Sequence, residues 1–147
     1  MAELVGLPEW LVVTLWVISC AALWLAWSFH ALRKARKRLA NRRPNPTRDE
    51  FLAMMRGDVD EDIAAWVWQQ TLFYYRPLTP HPEDHLLADA RIDRDDVDMD
   101  WVPDFLSAFD MDKKLWPNRW PEWPTDWELT VRNFARFLQL GRDRLAA

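Results

Sequence analysis

The hydrophobic pattern divides the chain into an apolar amino-terminal stretch and a mixed remainder. Residues 10–32 read WLVVTLWVISCAALWLAWSFHAL and contain no Asp, Glu, Lys or Arg. An α-helix rises about 1.5 Å per residue, so about 20 residues cross a hydrocarbon core of roughly 30 Å. Trp10 and Trp27 stand near the two ends, where indole rings favour the membrane interfaces. The pattern predicts a transmembrane helix over residues 10–32, after a short tail of residues 1–9.

Two other interpretations of this stretch fit the residues less well. A cleaved signal peptide has a basic start, a shorter apolar core and a small-residue cleavage site, whereas this chain starts with the acidic residues Glu3 and Glu9. The core helix of a soluble protein would not be followed by a run of cations. We therefore expect the apolar stretch to anchor the protein in a membrane.

A basic juxtamembrane linker, residues 33–47, follows the apolar stretch directly. It contains no acid and seven cations, namely Arg33, Lys34, Arg36, Lys37, Arg38, Arg42 and Arg43. Lys and Arg beside a membrane span stay on the cytoplasmic side. We therefore expect a single-pass protein of a bacterial inner (plasma) membrane, with its amino terminus outside the cytoplasm. The cations should contact anionic lipid headgroups, at roughly 1 kcal/mol each.

The remainder of the chain, residues 48–147, is an acidic domain that we expect in the cytoplasm. Only two of the 23 Asp and Glu residues precede Thr47, so the formal net charge of −4 describes neither part of the chain. Nucleic acid is not an expected partner, because this domain would repel phosphate. The single cysteine, Cys20, lies in the apolar stretch, which excludes an intrachain disulfide.

Periodic apolar positions in the acidic domain predict helices and no strands. Pro44 and Pro46 should end the membrane helix. Thr47 or Asp49 can then cap a two-turn helix that Gly57 ends.

Three further helical segments follow. A longer helix is predicted over residues 59–75. Its apolar face is expected to comprise Ile63, Trp66, Val67, Gln70 and Phe73. Another lies near residues 97–110, and it begins either close to Val102 or near Asp95 with a kink at Pro103.

The last predicted helix starts after Thr130 or Asp126, either of which can cap it, and ends at Gly141. Its apolar face comprises Val131, Phe134, Ala135, Phe137 and Leu138. The fold class is therefore all-α, with one amino-terminal transmembrane helix followed by a bundle of three or four helices.

Two segments of the acidic domain resemble a known fold. LTPHPEDHLLADARIDRDDVDMDWVPDFLSAFDMD, followed by LTVRNFARFL, resembles the acyl carrier protein fold, and is most similar to bacterial carrier-like proteins of the DUF1493 type. The resemblance covers residues 58–140 and implies a small helical bundle with an acidic docking face. It places Asp95 where a working carrier has the serine that takes phosphopantetheine. The resemblance therefore implies the fold without acyl carriage, and no cofactor is expected.

An aspartate-rich stretch lies at the start of the carrier-like second helix. It contains Asp93, Asp95, Asp96, Asp98, Asp100 and Asp104. A calcium-binding EF-hand loop needs a glycine at position 6 and a glutamate at position 12, and neither register of this stretch supplies them. Two interpretations remain open. The stretch is either a solvated helix start, or a docking face that a basic protein partner recognises.

Tryptophans are unusually frequent in the same domain. Those singled out as possible partner anchors are Trp101, Trp116, Trp120, Trp123 and Trp127. The last four lie in LWPNRWPEWPTDW, residues 115–127, which we call the Trp-Pro segment. Either this segment folds over the helical core as a lid, or it exposes an aromatic patch to a partner or a membrane.

No arrangement of residues indicates an enzyme. Carboxylates are plentiful, but no nucleophile accompanies them, and Pro82 between His81 and His85 indicates a loop. With three glycines in all, the chain has no Gly-rich phosphate loop, and it lacks zinc ligands. We expect a membrane-tethered, non-catalytic interaction module, such as an adaptor or accessory subunit. The alternatives are an immunity-type protein that neutralises a toxin at the membrane, and a structural subunit of a larger membrane complex.

Overall fold

The structure is a computed structural model that describes residues 8–92, 94–117 and 120–146. The chain divides into two compact units, of which the first ends at Arg42 and the second begins at Arg43. In the described residues all regular structure is helical, as the sequence predicts.

The first unit is one long helix, α1, Glu9–Arg42. Its 34 residues give a length of about 50 Å. It is long and apolar enough to cross a membrane. The helix continues through the basic residues and ends at Arg42, just before Pro44 and Pro46, which are the residues predicted to end it. This stretch holds good helix formers and no proline before Pro44.

The second unit starts with a short helix, α2, Arg48–Met55. Thr47 caps it as predicted, because the Glu50 backbone N–H donates to Thr47 Oγ1 at 3.3 Å. The Thr47 backbone N–H in turn donates to Glu50 Oε2 at 2.7 Å. This reciprocal pair satisfies two backbone donors that would otherwise lack partners. After the helix, Gly57 adopts φ 89°, a backbone conformation that favours glycine.

The next helix, α3, spans Glu61–Tyr75. Its buried residues are Ile63, Ala64, Val67, Trp68, Thr71 and Tyr75. The predicted face is therefore wrong at Phe73, whose side chain is 72% exposed. Buried positions recur every four residues from Ile63, which places Phe73 on the opposite side of the helix.

The aspartate-rich stretch forms a helical run with one widened turn. Helix α4, Arg94–Asp96, leads into a π-helical turn, Val97–Trp101, and then into α5, Val102–Ala108. The Val102 backbone N–H bonds to the carbonyl of Val97, five residues earlier. Pro103 has no N–H for the next rung of an α-helical ladder, so the widened turn precedes it. Helical backbone therefore starts close to the earlier of the two predicted positions, while the regular helix α5 starts at the later one, Val102.

The last helix, α6, spans Val131–Ala146. Thr130 caps it, since its Oγ1 accepts from the Asn133 backbone N–H at 3.1 Å. The carbonyls of Pro82 and Asp84 accept from two further N–H groups of its first turn. The prediction that Gly141 ends this helix is wrong, because α6 continues for five more residues.

The core of the second unit lies between α3, the π-helical turn with α5, and α6. Trp101 is 1% exposed, and its ring centroid lies 5.6 Å from that of Phe134 and 5.5 Å from that of Tyr74. Phe105 is fully buried beside Trp66, with ring centroids 5.3 Å apart. These contacts fix the helix that carries the aspartates.

Candidate interaction surface

The aspartates of the helical run project from a well-packed element. Asp98, Asp100 and Asp104 are exposed, and Asp96 is half-buried. We call these four residues the acidic strip. Among the side chains that the structure describes, no cation lies within ion-pair distance of any of them. Within the described side chains, the strip therefore presents negative charge without an ion-pair partner.

Two other predicted members of this face have different outcomes. Asp93 lies outside the described residues. Asp95 is exposed in α4, at the position where the resemblance places the carrier serine.

Several acids elsewhere in the domain form ion pairs, mostly with arginines of α6. Arg132 bonds to Asp58 and reaches Glu83 through Nε at 2.7 Å. Arg136 Nε also donates to Asp58, at 3.0 Å. Partial burial alone would raise the pKa of Asp58, but the two guanidinium groups together hold it below the usual aspartate value. Asp58 thus links the turn between α2 and α3 to two arginines of α6.

The carboxyl-terminal half of α6 continues this pairing. Arg142 bonds to Asp60 and, through Nη1 at 2.7 Å, to Asp62. Arg144 pairs with Glu122 of the Trp-Pro segment. The cations of α6 are therefore engaged with acids other than those of the acidic strip.

The described residues of the Trp-Pro segment, 115–117 and 120–127, fold over α6, which is the lid arrangement. The Trp127 and Phe137 rings stack with centroids 5.6 Å apart and planes at 17°. Trp123 contacts both of them edge-on, at 5.2 Å from Trp127 and 5.5 Å from Phe137. Trp116 lies against Phe137 from another side, at 5.7 Å. Phe137 therefore contacts three of the four tryptophans of the Trp-Pro segment.

Two predicted anchors are not at the surface. Trp101 is 1% exposed and Trp120 is 7% exposed, so the expectation that these indoles meet a partner directly is wrong. Trp101 fills the core beside Phe134, and Trp120 contacts Trp116 with ring centroids 5.3 Å apart. Trp116, Trp123 and Trp127 are each half-buried and keep part of their rings accessible.

Beside the acidic strip lie two concave features. The first is a cavity of about 230 Å³ lined by Asp98 and by aromatic rings, among them Trp120, Trp123, Trp127 and Phe137. The second is a groove of about 540 Å³, and its lining includes Asp98, Met99, Val102, Leu106, Lys113 and Trp116. Met99 lies in the π-helical turn between Asp98 and Asp100, and its side chain is 72% exposed. Asp98 is common to both, so it joins the strip to the aromatic lid.

The basic run has two different environments. Six of its cations are exposed on the last turns of α1, namely Arg33, Lys34, Arg36, Lys37, Arg38 and Arg42. Arg43 differs, because its side chain is only 7% exposed and its Nη2 lies 2.5 Å from Asp84 Oδ2. The expectation that Arg43 contacts lipid headgroups is therefore wrong.

The environment of Asp84 explains this difference. Its side chain is 1% exposed, and burial raises its pKa, against the lowering effects of Arg43 and of the His81 backbone N–H. A carboxylate at this depth needs a cation beside it. Arg43 supplies one and also donates to the carbonyl of Thr79 at 2.8 Å.

In the described ranges, no group of three or more His, Cys, Asp or Glu side chains is placed to hold a metal ion. The surface offers carboxylates and parts of aromatic rings, which are groups for recognition. The sequence did not identify Phe137 and Gly141 as the α6 residues against which the tryptophans of the Trp-Pro segment pack. The one signal for it is a glycine in an otherwise regular helical pattern.

Comparisons with known proteins leave the interpretation to the chain itself. No protein-family model, no curated protein and no solved structure matches it. The resemblance to carrier proteins accordingly stays a prediction.

Proposed function

We propose that the protein is a membrane-tethered, non-catalytic interaction module whose acidic strip binds a basic protein partner. The observation that supports this proposal best is the selective pairing of charge. Arginines of α6 engage Asp58, Asp60 and Asp62, while Asp98, Asp100 and Asp104 remain exposed without a cation in the described structure. Unpaired charge on one helix steers an oppositely charged partner and fixes its orientation.

The acidic strip also has the rigidity that a docking surface needs. Val97, Trp101 and Phe105 of the same helical run are buried in the core. The backbone that carries the aspartates is therefore held in place before a partner arrives, which lowers the entropy cost of binding. The carrier-like resemblance supports the same use of this helix.

The module is proposed to hang from the cytoplasmic face of a bacterial inner membrane by α1. The six exposed cations at the end of α1 follow the apolar stretch, and Lys and Arg at such positions stay in the cytoplasm. They would also contact anionic headgroups.

A labelling experiment tests this orientation. A single cysteine at Ala146 in a Cys20→Ser background should react with a membrane-impermeant maleimide only after the inner membrane is permeabilised. Labelling of intact spheroplasts, whose exposed face is the outer one, would contradict the cytoplasmic placement.

The docking role is tested with a matched pair of charge reversals. Asp100→Lys with Asp104→Lys changes the acidic strip, whereas Asp49→Lys with Glu61→Lys makes the same charge change at exposed acids of α2 and α3. In detergent extracts of crosslinked cells, the first pair should lose the partner bands that wild type shows, and the second should keep them. Equal crosslinking by both double variants would overturn the proposal.

A further inference from the structure

The cavity beside Asp98 is small and aromatic. Its volume is about 230 Å³, and its lining includes Trp120, Trp123, Trp127 and Phe137. Pockets for drug-sized ligands occupy roughly 300–1,000 Å³. This one is therefore sized for a single side chain rather than for a cofactor.

Two buried indole N–H groups in this lining have no hydrogen-bond partner among the described residues. Trp120 Nε1 and Trp123 Nε1 are both inaccessible to solvent, and neither donates to a protein acceptor in the described structure. Trp120 as a whole is more than nine-tenths buried. Buried donors are nearly always satisfied, by protein, water or a ligand. Because both N–H groups lie within the packed lining, their signals should respond to any change in the packing of the pocket.

The same pocket has a carboxylate in its lining, which a positively charged group could pair with. Asp98 lines it, is exposed, and has no cation within ion-pair distance among the described side chains. The faces of indole rings attract cations through the ring quadrupole. An arginine suits these groups better than a lysine, because its guanidinium is planar, stacks on rings and is more weakly hydrated.

We propose that this pocket binds one arginine side chain of the basic partner. Its guanidinium lies against the aromatic lining and pairs with Asp98. This inference rests on the proposed function, since it names the residue type that the partner inserts beside the acidic strip.

The test uses the full chain in detergent micelles, labelled with ¹⁵N, and a short peptide probe. The probe is N-acetyl-Gly-Arg-Gly-amide, and its control replaces arginine by citrulline, which is uncharged and has nearly the same shape. At constant ionic strength, the arginine peptide should shift the indole N–H signals of Trp120 and Trp123, assigned by single Trp→Phe variants. Absence of such shifts, or equal shifts with citrulline, would overturn the proposal.

Two conservative variants locate the charge. Asp98→Asn should lower the affinity for the arginine peptide by at least about threefold, since one exposed ion pair is lost. Asp104→Asn removes the same charge from the same helical run at a position that does not line the pocket, and should leave affinity within the error of the titration. Equal weakening by both variants would show diffuse attraction and would overturn the pocket assignment.

Failure of this inference can be told apart from failure of the proposed function. If the Asp100→Lys and Asp104→Lys pair abolishes partner crosslinking while the peptide leaves both indoles unshifted, the strip docks the partner and the pocket does not take arginine. If the indole signals shift while the Asp100→Lys and Asp104→Lys variant still crosslinks to the partner, the assignment of the pocket to arginine is supported and the docking role of the strip is contradicted.

Discussion

Arg43 and Asp84 form a two-pronged ion pair inside the second unit. Arg43 Nε donates to Asp84 Oδ1 at 2.9 Å, and Nη2 to Oδ2 at 2.5 Å. The pair joins the first residue of the unit to a loop 41 positions later. Because both side chains are buried, loss of either one leaves the other as an uncompensated charge.

Arg43→Met should destabilise the second unit by about 3–5 kcal/mol, since it leaves the Asp84 carboxylate buried without its cation. Urea unfolding of the full chain in detergent, followed by tryptophan fluorescence, measures the change. Arg38→Met, an exposed cation on α1, is the control and should have little effect. The double change of Arg43→Met and Asp84→Leu should recover part of the loss. A mild effect of Arg43→Met alone would contradict the pair's structural role.

Asp58 should make stability depend on acid pH. Its pKa is lowered in the folded state, so the unfolded chain binds the proton more readily near pH 3.8. The stability that Asp58 contributes is complete above the unfolded pKa and is lost as pH falls through the folded value.

The matching variant is Asp58→Asn. It should be less stable than wild type at pH 7 by about 1–2 kcal/mol, because Arg132 and Arg136 lose a charged partner. The difference in free energy of unfolding should shrink below pH 3.8. A difference of equal size at pH 7 and pH 3 would show that the charge of Asp58 is irrelevant.

Phe73 and Phe134 offer a comparison of two phenylalanines on helices. Phe134 is fully buried, and Phe134→Ala should cost about 3–5 kcal/mol. Phe73 is 72% exposed, and Phe73→Ala should change stability by no more than about 0.5 kcal/mol. The same urea titration measures both. A large loss on Phe73→Ala would restore the helix face that the sequence predicts.

Gly141 should tolerate alanine only if Trp116 is removed. A Cβ at this position would overlap with the Trp116 ring, so Gly141→Ala should destabilise the wild-type chain despite the better helix propensity of alanine. In a Trp116→Ala background the same change should stabilise the helix by up to about 1 kcal/mol. A double-mutant cycle measures this sign reversal. An identical effect in both backgrounds would contradict the close contact.

Local signals in the sequence predicted most of the helices. Thr47 and Thr130 cap helices because capping needs only a side-chain oxygen and the following turn, which the sequence shows directly. Gly57 follows α2 for the same kind of local reason. The all-helical class and a helix able to span a membrane are confirmed on this basis.

Contacts between distant segments were not predictable in the same way. The pairing of Arg43 with Asp84 depends on how a loop returns to the start of the unit. The burial of Trp101 depends on Phe134, and the burial of Trp120 depends on the fold of the Trp-Pro segment. The difference between the acidic strip, which has no ion pair among the described side chains, and the paired Asp58, Asp60 and Asp62 becomes visible only in the structure. Composition alone could not separate the two groups of aspartates.

The contact between Gly141 and Trp116 also has an evolutionary consequence. The indole occupies the space in which any larger residue at 141 would place its first side-chain carbon. Descendants of one ancestor should therefore change these two sites together: a lineage that acquires alanine or serine at 141 should carry a smaller residue at 116. Lineages that keep tryptophan at position 116 should also keep glycine at position 141.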